Sequence, residues 1–431
     1  MKKIILSLLF LTNLGAIIGL WAYGSFSYVA SGNMGEILIG LGRLCGLLAE
    51  FLILVELLLI SRIPFIERAF GFDKLNKAHR WIGYGLLISI LLHPLLLLFG
   101  YANVQGLSLI QQSKDFILHW EDVLNAIIGV GIILFVGTIS LPIIRKRMRY
   151  ESWHIMHLGM YFALVLIFDH QIKTADLRSG APLYYWLVLN YSVFGLLLLY
   201  RFSRPVWLYW RHRFYVEKIV QESYNVWSVY ITGRSMEKFT FDSGQYIHVI
   251  FWKKGLRQPH PFSLSKGYDG KSLRISVKAL GDFTNQISSL TPGTLVFIEG
   301  PFGRFTKRVA KAKKCAYIAG GIGITPIRAL IEESKQSNTD MILLYGNRTS
   351  RDIVFEGELT PLVRILSVLS EGSGQGEHGR IDGEKIKRLI PDILERDVYV
   401  CGPPLMMNGV IQVLEQLGLP KQFIHFEKFA Y

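Results

Sequence analysis

Cysteine is almost missing from this sequence. The three residues Cys45, Cys315 and Cys401 in 431 show neither a metal-type spacing nor an even-numbered framework. That excludes a disulfide scaffold and a thiolate zinc site. Acidic residues are also few: 33 Asp and Glu stand against 47 Lys and Arg, a net charge of +14. A surplus of that size can draw nucleic acid, but no matching fold motif accompanies it. Much of it gathers instead at the ends of apolar runs, where it orients membrane helices. Nucleic acid is therefore set aside as a partner. There is no EF-hand loop, so calcium gating is not expected. The start MKKIILSLLF has the basic-then-apolar order of a signal peptide, yet no small-residue cleavage site follows and apolar residues run past Trp21. It reads as a first membrane helix.

Apolar residues are abundant. The chain is 51% hydrophobic with a mean hydropathy of +0.32, too apolar for a purely soluble protein of this length. Nearly all the long apolar runs precede residue 210, and the remainder alternates like a water-soluble α/β protein. Six runs are long enough to span a bilayer: 4–23, 37–60, 80–100, 122–143, 153–170 and 184–203. On one side of them lie Lys2, Lys3, Arg62, Arg68, Lys74, Lys77, Arg80, Arg145, Lys146, Arg147, Arg149, Arg201, Arg204, Arg211 and Arg213. The opposite loops carry only Lys114, Lys173 and Arg178. This bias predicts an integral protein of the cytoplasmic membrane, with both termini and the polar half in the cytoplasm.

The third run holds His79 and His93 in HRWIGYGLLISILLH. Fourteen residues of helix advance about 21 Å and return to within about 40° of the same face. Two imidazoles so placed suit two haems stacked across a hydrocarbon core roughly 30 Å thick. The fifth run holds His157 and His170. Pairing His79 with His157 and His93 with His170 gives two bis-histidine b-type haem sites, the first near the cytoplasmic face. Thirteen residues leave His157 and His170 about 140° apart on an ideal helix, so a bend or local bulge is expected there. His154 does not remove that difficulty. Arg43 is a cation in the second run, where an unpaired charge is costly; a haem propionate is a natural partner. Glu50 and Glu56 share its run and receive no role.

Residues 35–170 resemble the ferric reductase transmembrane domain shared by NADPH oxidases, ferric-chelate reductases and bacterial relatives. The resemblance is carried by GRLCGLLAEFLILVELLLISR (42–62), by His79 and His93, and by YESWHIMHLGMYFALVLIFDH (150–170). It implies that the aligned histidines are haem ligands, with His157 selected over His154. It also implies that Arg43 stands close to the outer haem and its acceptor.

After Arg213 the pattern becomes strand-like: FYVEKIVQE, VWSVYITG, QYIHVIF and LRISVKAL, with polar turns between, as in a small antiparallel barrel. HPFSLS (260–265) lies among them and GDFTNQI (281–287) follows. An extended His-Pro-Phe-Ser strand offers a flavin an apolar wall and polar donors on alternate residues, and Thr284 lies near a helix start that can meet a pyrophosphate. Then KKCAYIAGGIGITPIRALIEES reads as strand, glycine turn and helix, the helix beginning near Pro326. Glycines let the backbone approach a dinucleotide, although this is not the six-residue GxGxxG spacing. MILLYGN, ILSVLS and DVYVCGPPLMM supply three more strands.

The order HPFS, GDFT, GGIGITP, CGPP and a C-terminal Glu-x-Phe makes residues 214–431 resemble the ferredoxin-NADP reductase family over their full length. The resemblance implies that His260, Phe262, Ser263 and Thr284 contact FAD, with Pro261, Ser265 and Gly281 in the same site. Gly320, Gly321, Gly323 and Thr325, with Cys401, Gly402 and Pro403, would line the nicotinamide nucleotide site. Arg348 stands where the family reads the adenosine ribose, so NADPH is expected, NADH remaining possible. Phe429 would shield the flavin ring, with Tyr431 as rival, and joins Arg43 and Cys401 at the reacting centres. The expected architecture is a six-helix di-haem bundle (1–213), an FAD-binding β-barrel (214–308) and an NAD(P)-binding α/β domain (309–431). The expected activity carries electrons from NAD(P)H through FAD and two haems to an external acceptor, foremost O2 giving superoxide. A ferric or cupric chelate reductase, or a membrane subunit serving a separate external protein, is the alternative. No obligatory protein partner is evident.

Overall fold

All six apolar runs are helical: α1 (Lys2–Ala30), α2 (Met34–Ile60), α3 (Phe72–Gln105), α4 (Val123–Ser140), α5 (Tyr150–Ile172) and α6 (Gly180–Leu197). The structure is a computed structural model that describes residues 2–120, 122–173, 177, 179–371 and 376–427. Phe429 and Tyr431 lie outside the described residues. Among the described residues five helices are long and apolar enough to cross a membrane, and a sixth is if the bent pair Met34–Ile60 and Pro64–Phe70 (90°) forms one span. The chain divides into two units, Met1–Ala69 with Lys74–Leu199, and Phe70–Asp73 with Tyr200–Tyr431.

In the first unit the apolar pattern is inverted relative to a soluble protein. Val165 and Ile155 of α5 are 72% and 70% exposed, the arrangement a lipid solvent permits. A smaller core gathers where the helices meet: Ile53, Leu54 and Leu57 of α2, Leu86 and Ile90 of α3, Ile133 of α4, Ala163 and Ile167 of α5, and Val193 of α6. Asn33 caps α2, its side-chain oxygen accepting from the Gly35 and Glu36 amides. A helix that periodicity did not separate, Leu109–His119, starts from a Ser108/Gln111 capping box. No break or π turn interrupts α5 between His157 and His170. The local bulge expected there is absent.

The second unit starts with strands β1 (Tyr215–Ser223), β2 (Val226–Thr232), β3 (Tyr246–Phe251), β4 (His260–Ser263), β5 (Leu273–Lys278) and β6 (Val296–Phe302). They form two three-stranded antiparallel sheets, β1-β2-β5 and β4-β3-β6. Isolated bridges Tyr215–Leu295 and Leu264–Ile275 join them, and Val216, Val229, Ile247, Val249, Ile275 and Ile298 fill the space between. The helix Arg204–His212 belongs to this unit, although the sequence assigned residues through 213 to the membrane domain. Leu208 enters the strand core, Tyr209 stacks on Phe297 at 4.3 Å, and Arg204 donates to the Gly300 carbonyl.

Next come β7 (Lys314–Gly320), β8 (Asp340–Asn347), β9 (Arg364–Leu369), β10 (Glu377–His378), β11 (Asp397–Cys401) and β12 (Ile424–Phe426). They make one parallel sheet in the order β10-β9-β8-β7-β11-β12. The four predicted strands are its centre; β10 and β12 are short edges too brief to show a pattern. Helices α7 (Ile324–Gln336) and α8 (Pro404–Gln416) follow β7 and β11. The helix α7 opens two residues before the predicted Pro326, which therefore sits within its first turn, where a missing N–H is tolerated.

Candidate functional site

In the first unit the four histidines meet as two pairs. The His79 and His157 rings lie 6.2 Å apart between centroids, and the His93 and His170 rings 6.4 Å apart. A metal–imidazole bond of about 2 Å on each side, with each ring centre roughly 1.1 Å behind its nitrogen, separates two centroids by about 6.2 Å. The pairs therefore fit one iron each. Among the described residues no group of three or more His, Cys, Asp or Glu is placed to hold a metal ion.

Neighbours fix three of the rings. His93 Nδ1 donates to the Gly42 carbonyl at 2.8 Å. His79 Nδ1 meets the Glu56 carboxylate. Ser140 donates its hydroxyl to the Val136 carbonyl at 2.7 Å, so its lone pairs accept from Trp153 Nε1 at 3.0 Å and from His157 Nδ1 at 3.3 Å. In each case the proton on Nδ1 leaves Nε2 as the lone-pair nitrogen, the arrangement expected of a metal-ligating histidine. Gly46 also shapes this region, because a Cβ there would lie 2.6 Å from His93 Nδ1.

Arg43 follows Gly42 directly. Its guanidinium reaches Tyr101 Oη (3.3 Å) and Ser25 Oγ (3.4 Å) and lies 4.6 Å over the Tyr28 ring. These aromatic and hydroxyl partners hold a membrane cation in place. Glu50 accepts from Gln171 Nε2 at 2.6 Å, beside His170. Glu50 and Glu56 received no role from sequence, and Gly46 and Ser140 were not singled out, because each acts across helices that no local pattern connects.

In the second unit β4 carries His260, Pro261, Phe262 and Ser263, all half-buried, at the edge of its sheet, where Pro261 costs no ladder hydrogen bond. The two predicted flavin motifs come together through a residue that was not singled out. Phe283 stacks on His260 at 3.6 Å and lies 6.2 Å from Phe262. The Thr284 hydroxyl accepts from the Leu280 and Gly281 amides at 2.9 Å each, shaping the turn after β5. Ser265 departs from expectation. It is fully buried, its amide and hydroxyl go to the Arg274 carbonyl, its hydroxyl also meets Ser276, and its carbonyl accepts from Arg328. With every polar group bonded inside the protein, it stabilises the fold and is not available to a flavin.

The strand order reverses between β7 and β11. The crevice at the carboxyl ends of strands flanking such a reversal is where open α/β sheets bind ligands. The GGIGITP and CGPP segments lie there and are interlocked by small residues. A Cβ on Gly323 would strike the Cys401 carbonyl, one on Gly320 the Met406 sulfur, and one on Gly402 would lie 3.0 Å from Gly320 Cα. Gly321 has φ +50°, and Thr325 donates to the Ile322 carbonyl at 3.0 Å. Pro403 precedes α8 directly. Burial, with the Glu427 carboxylate nearby, pushes the Cys401 thiol up to about 12. Arg348, at the end of β8, forms a bidentate pair with Glu371 at 3.0 Å for both contacts.

A charge cluster ties the antiparallel strands to the parallel sheet. Arg274, its side chain 2% exposed, donates to Glu222 (2.6 Å) and to both Glu358 oxygens (3.0 Å each); Arg328 Nε donates to Glu358 at 2.7 Å. Phe355 lies under the Arg274 guanidinium at 4.5 Å. Burial alone would raise the Glu358 carboxyl, but the two guanidiniums prevail and hold it below its ordinary value.

Sequence comparison agrees with this geometry. A ferric reductase like transmembrane component matches residues 45–168, an FAD-binding domain matches 214–306 and an oxidoreductase NAD-binding domain matches 317–412. A glycine betaine monooxygenase reductase subunit from Chromohalobacter salexigens is 28% identical over 250 residues, covering 53% of this chain and 68% of that protein. A protein of Pyrococcus furiosus named as a dihydroorotate dehydrogenase B (NAD(+)) electron transfer subunit is 33% identical over 197 residues, covering 46% of this chain and 73% of its own. Among solved structures, the flavohem-like FAD/NAD-binding domain of a nitric oxide dioxygenase from Vibrio cholerae aligns over 51% of this chain and 99% of its own, with 26% identity and a TM-score of 0.47. The fold and the matches define an NAD(P)H- and FAD-dependent oxidoreductase with membrane-spanning helices. More narrowly, the chain belongs to the ferric reductase and NADPH oxidase-like architecture, a ferric reductase-like transmembrane component fused to a ferredoxin-NADP reductase-type module.

Proposed function

We propose that the chain moves electrons across a membrane, from cytoplasmic NAD(P)H to an acceptor on the far side, foremost O2 to give superoxide. The observation that carries this reading is the pair of facing histidine couples, 6.2 and 6.4 Å apart, each at the separation one six-coordinate iron requires. His79 and His157 would hold an inner haem and His93 and His170 an outer one; His260, Phe262 and Ser263, with Phe283, would hold FAD. When bound, flavin converts a hydride into single electrons and haems carry single electrons between membrane faces. The chain's own residues bind and orient. The loops at 320–325 and 401–403 would receive the coenzyme; Phe429, outside the described residues, is the tail residue proposed as the flavin's shield. Ser140, Glu56 and Gly42 keep three imidazoles in the ligating tautomer. Arg43, next to His93's hydrogen-bond acceptor, supplies positive charge for a propionate or an incoming anion. The Lys/Arg bias of the loops orients both termini and the reductase module to the cytoplasm, with six spans.

The test is purified full-length protein with haem and FAD, assayed for NADPH-driven cytochrome c reduction with and without superoxide dismutase. Dismutase-sensitive reduction is expected. Reduction of a ferric chelate with no dismutase-sensitive component would assign the chelate instead. Replacing His79, His93, His157 or His170 by Leu should remove one low-spin haem or both, while His154→Leu should leave the spectrum intact. Full haem content in His157→Leu would refute the ligand assignment.

A further inference from the structure

The two histidine pairs match in separation but differ in what stands behind them. Behind His93 is a neutral peptide carbonyl, that of Gly42. Behind His79 is the carboxylate of Glu56, 8% exposed, whose second oxygen Oε1 is buried and has no hydrogen-bond partner among the described residues. That oxygen faces Gly83 of α3, one turn beyond His79, where even a Cβ would stand 3.6 Å away. The carboxylate's contact is thus directed at one imidazole.

Resting on the reading that these histidines bind haem, we propose that Glu56 sets the two haem sites apart in reduction potential. It holds the His79/His157 site below the His93/His170 site, so that electrons pass outward from one to the other downhill. A carboxylate accepts a hydrogen bond more strongly than a neutral carbonyl. It therefore polarises Nδ1–H further and makes Nε2 a more basic ligand. A more basic axial ligand favours ferric over ferrous iron, and hydrogen bonding behind the ligand is one of the few means by which a protein tunes this metal. His157, the other ligand of the inner site, has the Ser140 hydroxyl behind it at 3.3 Å. The Asp122 carboxylate acts on His170 of the outer site through space, without a hydrogen bond, and is itself paired with Lys173. Among the described residues Glu56 is thus the one carboxylate hydrogen-bonded to a histidine of either pair.

The experiment is a potentiometric titration of the purified, haem-loaded full chain, following the reduced α-band. The wild type should show two midpoints. Glu56→Gln keeps the shape and a hydrogen-bond acceptor but removes the charge. It should raise the lower midpoint by at least tenfold in the one-electron equilibrium, about 59 mV, and leave the upper one in place; Glu56→Asp should restore most of the shift. His79→Leu gives a second test that needs no change at Glu56, because the haem it leaves should be the one of higher potential. The proposal is overturned if both midpoints stay fixed in Glu56→Gln with both haems bound, or if the haem remaining in His79→Leu is the lower one. Absence of any low-spin bis-histidine spectrum from the wild type would instead remove the haem reading itself.

Discussion

Gly46→Ala adds one methyl group to α2, and its consequence follows from three distances. The new Cβ would lie 2.6 Å from His93 Nδ1, 2.7 Å from Cε1 and 3.4 Å from Cγ. Ordinary carbon contacts begin near 3.4 Å, so ring and helix must separate by about 0.8 Å, while metal–ligand distances tolerate about 0.2 Å. The ring cannot yield freely, because Nδ1 is held by the Gly42 carbonyl at 2.8 Å. Overpacking of this kind costs about 1–3 kcal/mol, roughly five- to a hundredfold in affinity for the group His93 holds. Intrinsic propensity acts the other way, since Ala favours a helix interior over Gly by about 1 kcal/mol. Loss of haem therefore cannot be charged to a weakened helix. Gly159→Ala in α5, whose Cβ would meet only Ile132 at 3.8 Å, and Gly15→Ala in α1, with nothing within 4 Å, serve as controls. The measurement is haem per flavin, with the low-spin spectrum, in the purified full chain. One haem lost or weakened in Gly46→Ala, with both controls unchanged, is expected; two haems per flavin and an unaltered spectrum in Gly46→Ala would refute the reasoning.

Two further outcomes rest on the reductase unit. Arg348 is committed to Glu371, but both side chains are exposed, and an exposed ion pair contributes little beside a charge-assisted contact to a 2′-phosphate. Arg348→Ala should thus raise the NADPH KM roughly ten- to a hundredfold and spare NADH, while Glu371→Gln lowers the NADPH KM; equal effects on both coenzymes would show that Arg348 does not read the phosphate. Glu358, held below its ordinary 4.5 by Arg274 and Arg328 despite burial, contributes stability that is full above the unfolded value and lost as pH falls through the folded one. The Tm of flavin release should therefore fall more steeply below pH 4.5 in the wild type than in Glu358→Gln, and parallel curves would contradict the assignment.

What the sequence disclosed and what it hid divide by distance along the chain. The membrane histidines, the strands and the glycine turns were legible because each is a local pattern, an ionisable group in an apolar run or a period of two. The pairing of His79 with His157, whose rings the structure brings to 6.2 Å, followed from helix direction alone. Hidden were contacts whose partners lie on different elements: Glu56 on His79, Gly46 against His93, Phe283 on His260. Helix rotation fixes these, and no single run records it. Ser265 was misplaced for the same reason. Its neighbours in HPFSLS sit on an edge strand, but two residues farther on the chain turns inward to Arg274 and Ser276.

The Glu358 junction bears on protein engineering. Grafting another reductase's nucleotide half onto this barrel, to change its coenzyme, would carry away Glu358 and Arg328 and leave Arg274 behind. Of Arg274's two carboxylate partners only Glu222 would remain, alongside Ser228, and a buried charge deprived of a partner costs about 3–5 kcal/mol. A chimera built from sequence boundaries alone would lose stability at this junction. One that transplants the Glu358 and Arg328 positions with the graft, or replaces Arg274 along with them, would keep the two halves in register.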